Sequence, residues 1–334
     1  MDTINQPVEL DEFSNIDLAV TRDNYYGTIG EPVYSGVLSF MRRKYSKDLT
    51  GVDVAVVGVP FDLSVTNRPG ARFGPRAIRE ASAQLAWGKA WGWGVDPFDK
   101  LSVVDWGDCL FDPGRPAEIP AVLERQFSQI LAQDVATLAI GGDHFVTYPI
   151  LQAHAKKHGK LALIHFDAHC DTWRDDEGRI DHGTMFFHAA QQGIIDPQSS
   201  AQIGIRTHNS ETHGFNIFDA DLVRKLGVPE IIKRVRQVVG DNPCYLTFDI
   251  DCLDPSCAPG TGTPVVGGMQ TAEALELLRG LAGINIVGMD LVEVSPSYDV
   301  GQITSLAGAT IALNLLCLFA AAQTRNEPIT AVSK

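Results

Sequence analysis

The stretches IHFDAHCDTW (164–173) and LTFDIDCLDP (246–255) each carry an apolar run into a set of alternating carboxylates and imidazoles. The first presents Asp167, His169 and Asp171; the second presents Asp249 and Asp251. On an extended strand, residues two apart point to the same side, about 6–7 Å from one another. Each run therefore reads as a strand that aims its polar groups in one direction. Asp forms strands poorly and is costly to bury without a partner. One Asp at a strand end is usually a turn or helix cap, but five ligand-type groups at two strand ends call for a shared metal ion.

Similar apolar runs recur on either side. VDVAVVGVP (52–60), LSVVDWGD (101–108), VATLAIGGD (135–143), KLALIHFD (160–167), AQIGIR (201–206), CYLTFDID (244–251) and INIVGMDLVE (284–293) read as strands. Between them, 74–86, 119–133, 147–159, 229–241 and 271–282 have helical patterns, and 303–323 closes the chain as a helix. Continuous apolar strands alternating with helices predict a parallel sheet covered on both faces. In such sheets ligands bind beyond the carboxyl ends of the strands, where GGDH (141–144), DAHCD (167–171), DID (249–251) and VEVSP (292–296) all fall. The expected organisation is an N-terminal extension over 1–50 that packs on the core or on a neighbouring subunit, one catalytic domain over 51–325, and a tail over 326–334.

Composition narrows the class. A net charge of −14 without a basic cluster disfavours nucleic acid and anionic membranes and favours small cations. No run appears long and apolar enough to cross a bilayer, and the acidic, polar start MDTINQPVELDEF lacks the features of a secretory leader. The six cysteines form no CxxC pair, which points to reduced thiols and a cytoplasmic location. A local disulfide between Cys252 and Cys257 remains an alternative. Neither GxGxxG nor a P-loop is present.

His144, Asp167, His169, Asp171, Asp249 and Asp251 are too many ligands for one ion and suit two ions bridged by shared carboxylates. Mixed oxygen and nitrogen ligation favours Mn²⁺ over structural zinc. Two such ions acidify a shared water toward neutral pH, which supplies a nucleophile for hydrolysis.

GGDHFVTYPIL (141–151), HFDAHCDTW (165–173), DHGTMFFHA (181–189), LTFDIDCLDPSCAPGTGTPV (246–265) and GMDLVEVSPSYD (288–299) together resemble the ureohydrolase (arginase/agmatinase) family, as does RPGARFGPRAIR (68–79). The resemblance spans about residues 52–323 and is weaker over 1–50. It implies a three-layer α/β/α fold around an eight-stranded, mainly parallel sheet, two Mn²⁺ ions, and a homo-trimer or homo-hexamer. It also implies that Asp167 and Asp249 are shared between the ions. His144 and Asp171 then complete one site, His169 and Asp251 the other. By the same resemblance His182 transfers a proton, with Asp171 assisting, and Glu293 grips the substrate's guanidinium. The implied reaction is hydrolysis of agmatine to putrescine and urea. The alternatives are 4-guanidinobutyrate or another guanidino compound, and a non-catalytic binding protein on the same fold.

Several residues are read one by one. Cys170 stands where the family more often has Thr or Ser, and strand alternation turns it away from the ligands toward packing. His165 is read as support behind the ligands or as core, His188 as helix packing, and His154 and His158 as solvated on a polar helix face. Trp87, Trp91 and Trp93 read as a packed loop or a subunit contact. His208 and His213, in THNSETHGF, belong either to a surface loop or to contacts with the substrate's tail, for which Arg206 is a further candidate.

Overall fold

The β-branched runs build the sheet. In this computed structural model, which describes Tyr25 and residues 32–86, 89–175 and 177–323, the strands are β1 (Lys44–Tyr45), β2 (Val54–Val59), β3 (Val103–Asp108), β4 (Ala136–Gly141), β5 (Ala162–Phe166), β6 (Ala201–Ile203), β7 (Asn216–Phe218), β8 (Cys244–Asp249) and β9 (Ile286–Val292). They form one sheet in the order β1-β3-β2-β4-β9-β8-β5-β6-β7. Every pairing between them is parallel. β2, β5 and β8 are buried along their whole length, as strands covered on both faces must be.

The helices are α1 (Gly74–Ser82), α2 (Ile119–Leu131), α3 (Thr147–His158), α4 (Met185–Gln191), α5 (Ala220–Leu226), α6 (Val228–Val239), α7 (Thr271–Gly280) and α8 (Ile303–Gln323). Successive strand residues alternate between two cores. Val54, Val56, Leu138, Ile140, Ile164 and Phe166 pack with α1 and α5–α8. Ala55, Val57, Val59, Ala139 and Leu163 pack with α2–α4 on the other face. This is the expected three-layer α/β/α fold, with nine strands among the described residues rather than eight. The strands missing from the sequence reading are the edge pieces β1 and β7, two and three residues long. Neither is long enough to show periodicity; the short helix α5 went unread, and α4 entered only through His188, read as helix packing.

Two expectations change here, for α8 and His154, while the reading of reduced thiols holds. Helix α8 is long and apolar enough to cross a membrane, contrary to the reading above, but 83% of its apolar window is buried inside the protein, so it is a core helix. Cys252 and Cys257 are unbonded, as are the other four cysteines. His154 is fully buried, not solvated. Its Nε2 meets Thr137 Oγ1 at 3.0 Å and its ring packs edge-on against Tyr245 at 5.0 Å. Burial pushes its pKa down to about 3. His158 stacks on it at 5.9 Å.

Of the N-terminal extension, 32–50 lies within the described residues. Phe40 N–H donates to Asp105 at 2.7 Å and Met41 N–H to Ser82 Oγ at 2.8 Å, so this part packs on the catalytic core. Most of 1–31, the tail 326–334 and Trp87 fall outside the described residues. Trp93 bonds Asn314 at 2.6 Å, while Trp91 is exposed.

Candidate metal centre and its cavity

Four strands that are neighbours in the sheet, β4, β9, β8 and β5, deliver the polar groups from their carboxyl ends. After β4 the chain turns through Gly142, where a Cβ would lie 1.9 Å from the Phe61 carbonyl oxygen. Only glycine fits so close to that backbone. His144 follows, with Asp167–Asp171 after β5, Asp249 as the last residue of β8, and Glu293 just past β9.

The candidate ligands converge, but not by strand alternation. β5 stops at Phe166, and the next five residues curl, with Asp171 at φ 51°. Asp249 caps the short turn Ile250–Cys252, its Oδ1 accepting Asp251 N–H at 2.7 Å. Asp251 Oδ1 accepts Ala168 N–H at 3.0 Å and ties the two loops together. His144 Nδ1 lies 3.0 Å from Asp167 Oδ2, 2.9 Å from Asp171 Oδ2 and 3.3 Å from Asp249 Oδ2. His169 Nδ1 lies 3.0 Å from Asp251 Oδ2 and 3.3 Å from Asp167 Oδ1. Asp167 thus turns one oxygen to each group. Cys170 faces away, its Sγ 3.1 Å from Asn209 Nδ2.

Two observations fit this donor set to a pair of small divalent cations. Neighbouring ligand atoms around such an ion in octahedral geometry are about 3 Å apart, the spacing found here. Charge balance points the same way. Burial, followed by Asp251 and Asp167, pushes Asp249 well above its ordinary value, and burial also raises Asp171 and Asp251. Burial works against charge on His169 too, yet Asp251 and Asp167 outweigh it and pull the imidazole up to about 12. Carboxylates crowded this closely call for cationic charge among them.

A relay behind His144 fixes its tautomer. Asp290 accepts the hydroxyls of Thr247 (2.5 Å), Thr147 (2.8 Å) and Tyr245 (2.9 Å). Thr247 spends its proton on Asp290, so at 2.8 Å it accepts from His144 Nε2. Nε2 then carries the hydrogen and Nδ1 offers its lone pair to the ion site. His165 supports the opposite side, with Nε2 2.7 Å from Asp167 Oδ2. The buried Asp in GMDLVE was the available sequence signal for this relay.

Glu293 is fully buried at φ 63°. Its Oε1 accepts His144 N–H at 2.9 Å and faces His182 Nδ1 at 3.0 Å. Its Oε2 is buried without a hydrogen-bond partner. Thr66 holds the far side of His182: both its N–H (3.0 Å) and its Oγ1 (2.8 Å) meet Nε2. The N–H suits a bare Nε2 and the hydroxyl suits a protonated one, so Thr66 serves both states. Against burial, Glu293 and Asp171 raise the His182 pKa to about 9.

Beside these groups lies a cavity of about 300 Å³ lined by His169, Asp171, Asp249, His182, Thr66, Trp173, Arg179, Asp181 and Thr263. Glu293 stands behind His182 rather than on the wall. The two tail candidates lie elsewhere: His208 lines a separate cavity, and His213 pairs with Glu211 at 3.4 Å. Arg206 is spent on the carbonyls of Gly204, Asp251, Cys252, Leu253 and Val265. Sequence reading passed over Thr66, Trp173, Arg179 and Asp181, none of which stands at the end of an apolar run that would have marked it.

The Arginase family model matches residues 52–317. An agmatinase of Chromobacterium violaceum is 57% identical over 311 residues, 92% of this chain and 96% of its own length. Among solved structures, a hypothetical agmatinase from Burkholderia thailandensis superposes with a TM-score of 0.91 at 52% identity, covering 92% of this chain and 98% of that one. A proclavaminate amidino hydrolase from Streptomyces clavuligerus superposes with a TM-score of 0.83 at 41% identity, covering 87% of this chain and 100% of that one.

Proposed function

The chain belongs to the arginase family, and from that premise we propose that it is a cytoplasmic, oligomeric ureohydrolase that converts agmatine and water to putrescine and urea. The observation that carries this reading is the convergence of two imidazoles and four carboxylates beside the His182–Glu293 pair, in a chain 57% identical to an agmatinase. His144, Asp167, Asp171 and Asp249 would hold one Mn²⁺ ion, and Asp167, His169, Asp249 and Asp251 the other. When bound, the pair supplies water acidified toward neutral pH.

The chain's own residues do the rest. The four ligand carboxylates would balance two divalent cations, and Glu293, paired through Oε1 with His182 at 3.0 Å, keeps its second oxygen free of any hydrogen-bond partner. Its unpartnered Oε2, behind the wall residue His182, is the acceptor offered to a planar guanidinium that reaches past the imidazole. Asp171 and His182 line one wall, so a proton taken up near the ligands has an imidazole beside it. With its pKa held near 9, His182 carries that proton at neutral pH and gives it to the departing amine. Thr66 Oγ1 accepts from protonated Nε2 and extends the path into the cavity. A volume of about 300 Å³ suits one small extended molecule.

The test is urea release from a panel of agmatine, 4-guanidinobutyrate, 3-guanidinopropionate, guanidine and arginine. Agmatine is expected to give the highest kcat/KM, with activity abolished by chelation and restored by Mn²⁺. A tenfold preference for 4-guanidinobutyrate would remove the named substrate, and full activity in metal-free protein would remove the chemistry.

A further inference from the structure

We propose that Asp181 reads the far end of the substrate, its carboxylate receiving the terminal ammonium of agmatine in exchange for Arg179. The inference rests on the reading above, that a guanidino compound is hydrolysed in this cavity.

Beyond the groups already given roles, the charged side chains on the cavity wall are Arg179 and Asp181. They face one another, Arg179 Nη2 lying 3.3 Å from Asp181 Oδ2. The two are held very differently. Asp181 is only 15% exposed, and its Oδ1 accepts Gly183 N–H at 3.0 Å. Its own N–H donates to Thr184 Oγ1 at 3.0 Å. It is thus built into the turn that presents His182. The Arg179 side chain is 74% exposed and makes two long ion pairs, at 3.3 Å to Asp181 and 3.4 Å to Asp175. Exposed pairs of that kind are weak and easily exchanged. The fixed partner is therefore the acid and the replaceable partner the base, so the subsite is set for a cation. A carboxylate tail would meet the opposite arrangement. Among the described residues on the wall, Arg179 is the one arginine or lysine, and Arg206 is committed to backbone carbonyls. Trp173, whose ring lies 6.2 Å from that of His169, gives the methylenes between the two charged ends an apolar wall.

The test compares agmatine, butylguanidine (the same chain without the amine) and 4-guanidinobutyrate on the manganese-loaded enzyme and its D181N and R179Q variants. Asn keeps the acceptor for Gly183 N–H, so the turn survives while the charge goes. D181N should lower the agmatine-to-butylguanidine ratio of kcat/KM by about tenfold or more, the weight of one charge-assisted contact, and mainly through KM. R179Q removes the competitor and should lower the KM for agmatine. An equal loss on all three substrates in D181N, an unchanged ratio, or a higher agmatine KM in R179Q would overturn the inference. If the wild type turns over none of the three, the parent reading falls. The same ratio, measured as equilibrium Kd on the manganese-loaded protein, still judges Asp181.

Discussion

Replacing Asp290 with Asn should weaken one of the two metal sites without the substitution touching an ion. Asp290 accepts three hydroxyls at 2.5–2.9 Å, and through Thr247 it decides which nitrogen of His144 carries hydrogen. Asn offers one acceptor and one donor in the same outline. If its NH₂ takes the Oδ1 position, Thr247 becomes the acceptor there and turns its own proton toward His144 Nε2. The hydrogen of His144 then moves to Nδ1, into the face that meets three carboxylates. If the NH₂ takes the Oδ2 position, Thr147 and Tyr245 both lose their acceptor, at about 1 kcal/mol each. The first outcome removes a ligand lone pair and the second loosens the strands that hold the ligand. Outer groups of this kind are worth about 10- to 100-fold in metal affinity. Calorimetric titration of Mn²⁺ into metal-free D290N should show one of two sites weakened by that factor. T247V should do the same, and T247S should restore wild-type affinity by keeping the hydroxyl. Both sites of D290N binding Mn²⁺ within twofold of wild type would refute the tautomer argument.

Three further outcomes are expected. Glu293→Gln should lower kcat/KM by about 10²-fold or more through loss of a charge-assisted contact, with normal metal content by elemental analysis; a drop in bound metal would remove Glu293 from the substrate's side. Mn²⁺ binding should release protons and strengthen as pH rises, because His169, held up at about 12 without metal, must be deprotonated to ligate; dye-monitored titration in weak buffer showing no release would contradict this. His154 is neutral in the fold down to about pH 3 but titrates at 6.5 when unfolded, so its contribution to stability is present above pH 6.5 and lost on acidification. Urea unfolding of metal-free H154L and wild type should therefore differ by about 2 kcal/mol more in the variant's favour at pH 5 than at pH 8.

The chemistry of the site was legible because Asp and His are hard to explain at the ends of apolar runs, and runs of four or more apolar residues also marked most of the sheet. The geometry was not legible. Extended alternation was the stated reason for convergence, yet Asp171 at φ 51° and the turn after Asp249 do that work. His154 was misplaced because its helix sequence looks polar, and its partners Thr137 and Tyr245 come from two strands that only the fold brings near. Asp290 meets Thr147 across 143 residues of sequence, a distance no local pattern spans. Asp181 and Arg179 acquire meaning only when the loop lays them along one cavity.

That the ligands come from four neighbouring strand ends has a consequence for the life of the chain. His144 and Asp249 are separated by more than a hundred residues, and β4 and β8 are joined in the sheet only through β9, the last strand in sequence, which lies between them. No fragment released early in synthesis holds a complete ion site. A complete ion site therefore exists only where the long-range pairings of the sheet are made, so metal affinity reports on the finished fold as a whole.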